Sequence, residues 1–328
     1  MSSSARSSGL PGGPIGVLLA ALLLAGLCAR PCPAGEGGGG IAGAFAEVGP
    51  GARGAALAGA LAPCVDDATA VYWNAARLVD LDAPAAAVGY ADLFGLGLAR
   101  HTTLHFAFPL RGRSVSWEAG RFRAAPGASR GALGVGLQTT RIDLDPEAYA
   151  EYDLAVAYAR RGPWGLAWGA TGRALAVRAD LTGVGATGYA GDLALGRALG
   201  DRASVALVLR SLISRLAWDN GTSESLRPTA QLAGALAPAA RWTLPAALLW
   251  DIDAGRLLQA ALGIEWGPLG ETIRLRGGLR WRDDGESALL AGALGAGLRW
   301  QELRFDYALA LEREALGDTH RFSVGYSF

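Results

Sequence analysis

From about residue 84 onward, apolar side chains return at every second position. In 302–313, ELRFDYALALER, the residues Leu303, Phe305, Tyr307, Leu309 and Leu311 share one parity, and Glu302, Arg304, Asp306 and Glu312 share the other with Ala308 and Ala310. A helix would spread those charges around its circumference, so period two over this length predicts a strand with one greasy and one polar face. The same rhythm sets Tyr152, Leu154, Val156 and Tyr158 against Glu151 and Asp153, and Val205, Leu207, Leu209 and Ile213 against Ser204, Ala206 and Arg210. In 272–282, Ile273, Leu275, Leu279 and Trp281 oppose a row of arginines, Arg274, Arg276, Arg280 and Arg282.

Alternation alone fits a soluble sandwich as well as a membrane barrel. Three features favour the barrel. The alternating runs are longer than the five or six residues usual for sandwich strands, and runs of about ten tilted residues cross the hydrocarbon layer. The polar parity mixes arginine, acid, glycine and alanine, as a lumen does. Tight links at 161–165, 199–202, 237–241, 266–270 and 299–302 also alternate with longer polar loops at 141–148, 178–188, 217–228, 282–287 and 313–318. Short turns on one side and long loops on the other are the outer-membrane arrangement. The predicted fold is all-β, a transmembrane antiparallel barrel of about fourteen strands: 84–92, 101–110, 131–140, 150–160, 163–177, 186–199, 202–214, 226–238, 241–252, 255–266, 271–282, 286–299, 301–313 and 318–328. The stretch 111–130 also reads as strand and is taken as an insertion or an extension of its neighbours, which keeps the strand number even.

The front of the chain differs. Arg6 precedes the uncharged run 15–27, and Cys-Pro-Ala ending at Ala34 offers a small-residue cleavage site, which predicts a secretory signal peptide over 1–34. A lipoprotein reading at Cys28 or Cys32 fits less well, because Leu27 and Pro31 stand where a small residue is expected. Cleavage at Ala34 leaves Cys64 as the one cysteine and excludes an intrachain disulfide. No later uncharged run reaches the 18 or so residues a membrane helix needs. The expected division is therefore signal peptide 1–34, an N-terminal plug segment 35–82, and a barrel over 83–328.

Composition narrows the chemistry. Thirty basic and thirty acidic residues balance, every basic residue is arginine, and no basic cluster marks a nucleic-acid partner. Residues 183–188, GVGATG, match a dinucleotide fingerprint formally, but they are placed in a loop between strands and open no helix. His101, His105 and His320 show no ligand spacing and no neighbouring serine, so neither a metal, a cofactor nor an enzymatic site is expected. The arginine row 274, 276, 280 and 282, with Glu302, Arg304 and Asp306, supplies candidate lumen charges. It either binds anions or pairs across strands with inward acids such as Glu265, and pairing is favoured because unpaired like charges on one strand repel. Trp164, Trp242, Trp266, Trp281 and Trp300 stand near strand ends, where interfacial girdles sit. The C-terminal strand puts Phe322, Val324, Tyr326 and Phe328 on one parity. That pattern resembles the signal that outer-membrane barrels present to their assembly machinery.

Residues 44–78, with Asp66, Asp67, Ala68, Ala70, Trp73 and Asn74, resemble the opening motif of PorV/PorQ-type proteins, distant relatives of the FadL transporters. Ala75 replaces the usual Pro and Arg77 the usual Gly, and 316–328 resembles the family's last loop and strand. The resemblance implies a bacterial outer-membrane barrel of fourteen strands, in contact with outer-membrane lipid, whose N-terminal segment folds inside or beneath it. It implies one of two roles: passage of a hydrophobic small molecule, or docking of secreted protein cargo as in type IX secretion. Asp66 and Asp67 are expected to cap a short helix or pair with lumen arginines, and Trp73 and Asn74 to mark the turn into the first strand.

Overall fold

The computed structural model describes residues 48–118, 121–143, 147–180, 183–283, 288–311 and 317–328. The expected signal peptide and residues 35–47 of the expected plug segment lie outside them. The strands are β1 (Ala85–Leu93), β2 (Ala99–Glu118), β3 (Arg121–Asp143), β4 (Ala148–Arg161), β5 (Ala167–Ala179), β6 (Val184–Ala198) and β7 (Ala203–Trp218). They continue with β8 (Ser223–Glu224), β9 (Thr229–Leu236), β10 (Trp242–Asp251), β11 (Arg256–Trp266), β12 (Ile273–Asp283), β13 (Ala288–Trp300), β14 (Leu303–Leu311) and β15 (Thr319–Ser327). Each long strand pairs antiparallel with its sequence neighbours, and β7 passes over the two-residue β8 to pair with β9. β1 meets β15 with Ala85 opposite Ser327 and Asp92 opposite His320. The result is a closed antiparallel barrel of fourteen strands with one short extra strand, and closure leaves no long edge unpaired.

The alternation reads out as geometry. Val88, Leu104, Leu137, Leu154, Val156, Leu262, Leu294 and Phe322 point outward and are exposed in the isolated chain. Such a continuous apolar belt suits hydrocarbon rather than water. The opposite parity is rich in alanine and glycine, and Ala107, Ala132, Ala157, Ala159, Ala233, Ala247 and Ala261 are buried on the inside. Stacked Trp242 and Trp266 lie 5.5 Å apart on neighbouring strands beside the tight turns, with Trp300 exposed nearby. No helix among the described residues is long and apolar enough to cross a membrane, a fact that does not bear on strands.

Two of the long loops expected from sequence are shorter than expected. β3 runs on to Asp143 and β6 begins at Val184, so residues read as long loops continue the wall. The GVGATG stretch therefore lies almost wholly in β6, with Val184 opposite Ala179, rather than in a loop. In a closed barrel each added residue finds a hydrogen-bonding partner on both sides, so polar residues at strand ends stay in the ladder. Of the two readings of 111–130, the extension of its neighbours is the one observed: β2 and β3 pair from Arg111 opposite Ser129 to Glu118 opposite Arg121. This ribbon projects beyond the wall at the tight-turn end, because β1 last pairs β2 at Ala107 and β4 last pairs β3 at Ala132.

Candidate functional site

The lumen is occupied by residues that precede the first strand. Two short helices, α1 (Ala52–Ala56) and α2 (Ala70–Trp73), and a 3-10 turn over Ala75–Asp80 pack against the inner wall. Leu57, Leu61, Val65 and Leu78 are fully buried against the inward alanines. The small inward parity is thus the space this segment fills. At Gly278 on β12, a Cβ would stand 2.7 Å from the Ala58 nitrogen and 2.8 Å from the Ala56 oxygen, so the segment's backbone crosses the wall there.

Its own fold follows from a few side chains. The Trp73 indole lies against Gly49 and Gly54, where a Cβ would approach within 2.4 Å and 2.3 Å of the ring, and its N–H donates to the Pro50 carbonyl at 3.1 Å. Asn74 is wholly buried; its amide donates to the Ala62 carbonyl at 2.9 Å, and its side-chain oxygen accepts from the Ala76 N–H at 3.2 Å. Asp67 accepts from the Thr69 N–H at 2.8 Å and holds the turn ahead of α2. Asn74 is followed by the 3-10 turn before β1 starts at Ala85, so Trp73 and Asn74 stand one element earlier than expected.

Charges fasten the segment to the wall. Arg53 of α1 donates to both oxygens of Glu265 on β11, at 3.0 and 3.2 Å, and to Asp66 at 2.6 Å. Arg304 on β14 donates to Asp66 at 2.8 Å, and Arg276 on β12 bridges Glu265 at 2.5 Å and Asp306 at 2.6 Å. Burial alone would raise the Asp66 carboxyl, but Arg53 and Arg304 together hold it well below the usual carboxylate range. Burial pushes the neighbouring Cys64 thiol up to about 12, against the opposing pull of Arg53.

The segment divides the lumen. Toward the tight turns lies a cavity of about 170 Å³ lined by Arg53, Asp66, Glu265, Arg274 and Arg304, with arginine and carboxylate matched. On the other side lies a cavity of about 360 Å³, walled by Tyr72, Trp73 and Phe94 and by six arginines, with no carboxylate among the described lining residues. Arg280 and Arg282 contribute from β12 above the Gly278 crossing, and Arg173, Arg210, Arg227 and Arg321 from around the wall. Arg210 sits beside a bulge in β7, where Ser211 has φ 53° and donates its N–H to Asp192 at 2.7 Å. The bulge aims Arg210 at the segment, so it donates to the Tyr72 carbonyl at 3.1 Å and covers the Tyr72 ring at 4.4 Å. Arg173 is paired with buried Asp153, Arg227 lies 3.4 Å from Asp251, and Arg321 donates to the Gly49 carbonyl at 2.6 Å.

The lumen charges named from sequence therefore separate. Arg276, Arg304 and Asp306 join Asp66 in one network, Arg274 pairs with Glu271 at the turn, and Arg280 and Arg282 face the larger cavity. Glu302 does not join them; it is exposed in the turn between β13 and β14. Phe322, Val324, Tyr326 and Phe328 lie exposed along the outer face at the C-terminus. His101 and His105 are buried inside, His101 beside the Thr140 hydroxyl at 2.9 Å, whereas His320 faces out next to Tyr307. No cluster of His, Cys, Asp or Glu among the described residues could hold a metal ion. Sequence reasoning missed Arg53, Arg173 and Arg210 as site residues. The polar parity of β5 and β7 carried the last two, but only the fold shows that they converge.

No family model matches the chain, and no curated protein matches it. Solved structures do. The chain is similar to the CymD monoaromatic hydrocarbon channel at 14% identity, covering 86% of this chain and 98% of that one with a TM-score of 0.62. It is similar to a Pseudomonas aeruginosa FadL homologue at 13% identity, covering 85% and 98% with a TM-score of 0.59. The P. putida toluene transporter TodX matches at 12% identity over 85% and 99%, with a TM-score of 0.55. At these identities the shared property is the fold: a barrel of the kind found in FadL-like hydrophobic channels.

Proposed function

We propose that this protein is a bacterial outer-membrane channel that passes hydrophobic small molecules, with residues 48–82 acting as its plug. The observation that carries this reading is a lumen filled by the chain's own N-terminal segment, which separates a larger cavity from a smaller one. Molecules entering the larger cavity meet Tyr72 and Trp73 and go no further until the segment shifts. The likeness to hydrocarbon channels supports a hydrophobic cargo, and the outward apolar belt supports a membrane site. The secretion role implied by the PorV/PorQ resemblance has no observation of the fold in its favour. The test is toluene flux into proteoliposomes: protein-containing vesicles should fill faster than empty ones, by severalfold over the lipid leak. Equal rates would overturn the proposal.

A further inference from the structure

We propose that the ribbon of β2 and β3 is a docking strand at the tight-turn end, the periplasmic side in the outer-membrane arrangement. The free edge of β2 over Arg113–Glu118 takes up an extended segment of a partner protein in which acidic and apolar residues alternate. The proposal goes beyond passage through the lumen and does not depend on what crosses it.

Closure answers the edges of the barrel but not those of this ribbon. Within the wall β2 lies between β1 and β3, and β3 lies between β2 and β4. β1 leaves β2 at Ala107, and β4 leaves β3 at Ala132. From Arg111 to Glu118 and from Arg121 to Ser129 the two strands pair only with each other among the described residues. Each strand thus carries a row of backbone N–H and C=O groups that no further strand answers. Such a row is the template on which an extended peptide adds.

The two edges differ. Leu110 stands opposite Gly131, Arg111 opposite Ser129 and Arg113 opposite Pro126, so both register shifts at the base put their extra residue in β3. Pro126 also offers no N–H. Bulges and proline are devices that blunt an edge. β2 has neither from Arg113 to Glu118, where six residues pair in unbroken register. Its edge is the open one.

Sequence and register together set the partner. Residues 111–130 hold five arginines and one glutamate. Two copies of this ribbon would bring like charges together, whereas an acidic strand is attracted. In register, Val115 and Trp117 share one face with Ala124 and Phe122, and Ser116 and Glu118 share the other with Arg123 and Arg121. A strand added beside β2 continues both faces, so apolar and acidic residues in alternation match it. An anionic lipid headgroup matches less well, because it accepts from N–H groups and leaves the carbonyls of the edge unanswered.

The test is fluorescence anisotropy of a fluorescein-labelled peptide, Glu-Val-Glu-Tyr-Glu-Val-Glu, with the full protein in phosphatidylcholine nanodiscs. Lys-Val-Lys-Tyr-Lys-Val-Lys controls for charge, and Glu-Val-Glu-Pro-Glu-Val-Glu for backbone pairing. The acidic peptide should bind at least tenfold more tightly than either control. Replacing residues 111–130 by an Asn-Gly turn should abolish that binding, and Arg121→Gln/Arg123→Gln should weaken it severalfold. Heat-modifiable migration on a gel shows that both variants keep the barrel, and unchanged toluene flux separates this result from the passage. Binding no tighter than the controls, or binding that survives loss of the ribbon, overturns the proposal. So do ribbon-dependent dimers in sedimentation without peptide binding, which would make a second copy the partner. Ribbon-dependent retention of phosphatidylglycerol in native mass spectrometry without peptide binding would do the same in favour of lipid.

Discussion

Asn74 shows how much a single polar side chain holds in this lumen. It is fully buried, donates to Ala62 and accepts from Ala76, and so ties α1's exit to the 3-10 turn. Asn74→Ala leaves a carbonyl and an N–H unpaired away from water, which costs on the order of 1–3 kcal/mol for each group. We expect a lowered denaturant midpoint for the segment, read from Trp73 fluorescence, with the barrel itself unchanged. Asp66 makes a pH prediction. Its folded-state carboxyl is held below the ordinary value, so its contribution is whole above about pH 4 and is lost as pH falls further. Protease protection of residues 48–82 should therefore persist at pH 5 and fail in stronger acid, and Asp66→Asn should lose protection at neutral pH. Cys64 offers an independent reporter. With its thiol pushed up to about 12 it stays protonated and slow to react at pH 8. Maleimide labelling mapped to Cys64 by mass spectrometry should accelerate severalfold in any variant that lifts the segment.

At the scale of elements, β12 sends arginines from one inward face to both sides of the N-terminal segment. Removing Arg276 strips Glu265 and Asp306 of a buried partner, a change that typically costs about 3–5 kcal/mol. Arg276→Ala should thus lower thermal stability far more than Arg241→Ala in an exposed turn, measured by loss of the heat-modifiable band. Gly278 separates the two pairs of arginines because the segment's backbone occupies the place of its missing side chain. Its smallness had no signal in the alternation, where a glycine on an inward parity looks like any other. The arginine row itself was legible, and so was the preference for pairing, which holds for Arg276. The crossing that leaves Arg280 and Arg282 on the other side was not, because it depends on residues more than 200 positions earlier. Glu302 misled for a related reason: its parity continues that of Arg304 and Asp306, but the strand starts after it, at Leu303.

Across the whole molecule, the barrel was readable because its rule is local. Period two sorts side chains between lipid and lumen residue by residue, and fourteen repeats of that rule with short connections leave little choice but closure. The lumen's contents follow no such rule. Residues 48–82 have neither helical nor strand periodicity, since their contacts are set by an inner wall of alanine and glycine rather than by neighbours in sequence. The central claim, that this segment closes the barrel, is tested most directly by single-channel conductance in planar bilayers. The wild-type protein should be nearly silent, and the Arg53→Gln/Arg304→Gln variant, which breaks the ties from Arg53 to Glu265 of β11 and from Asp66 to Arg304 of β14, should open to steps of a small water-filled pore. A wild type that conducts as an open pore, or a folded variant as silent as the wild type, would contradict the account.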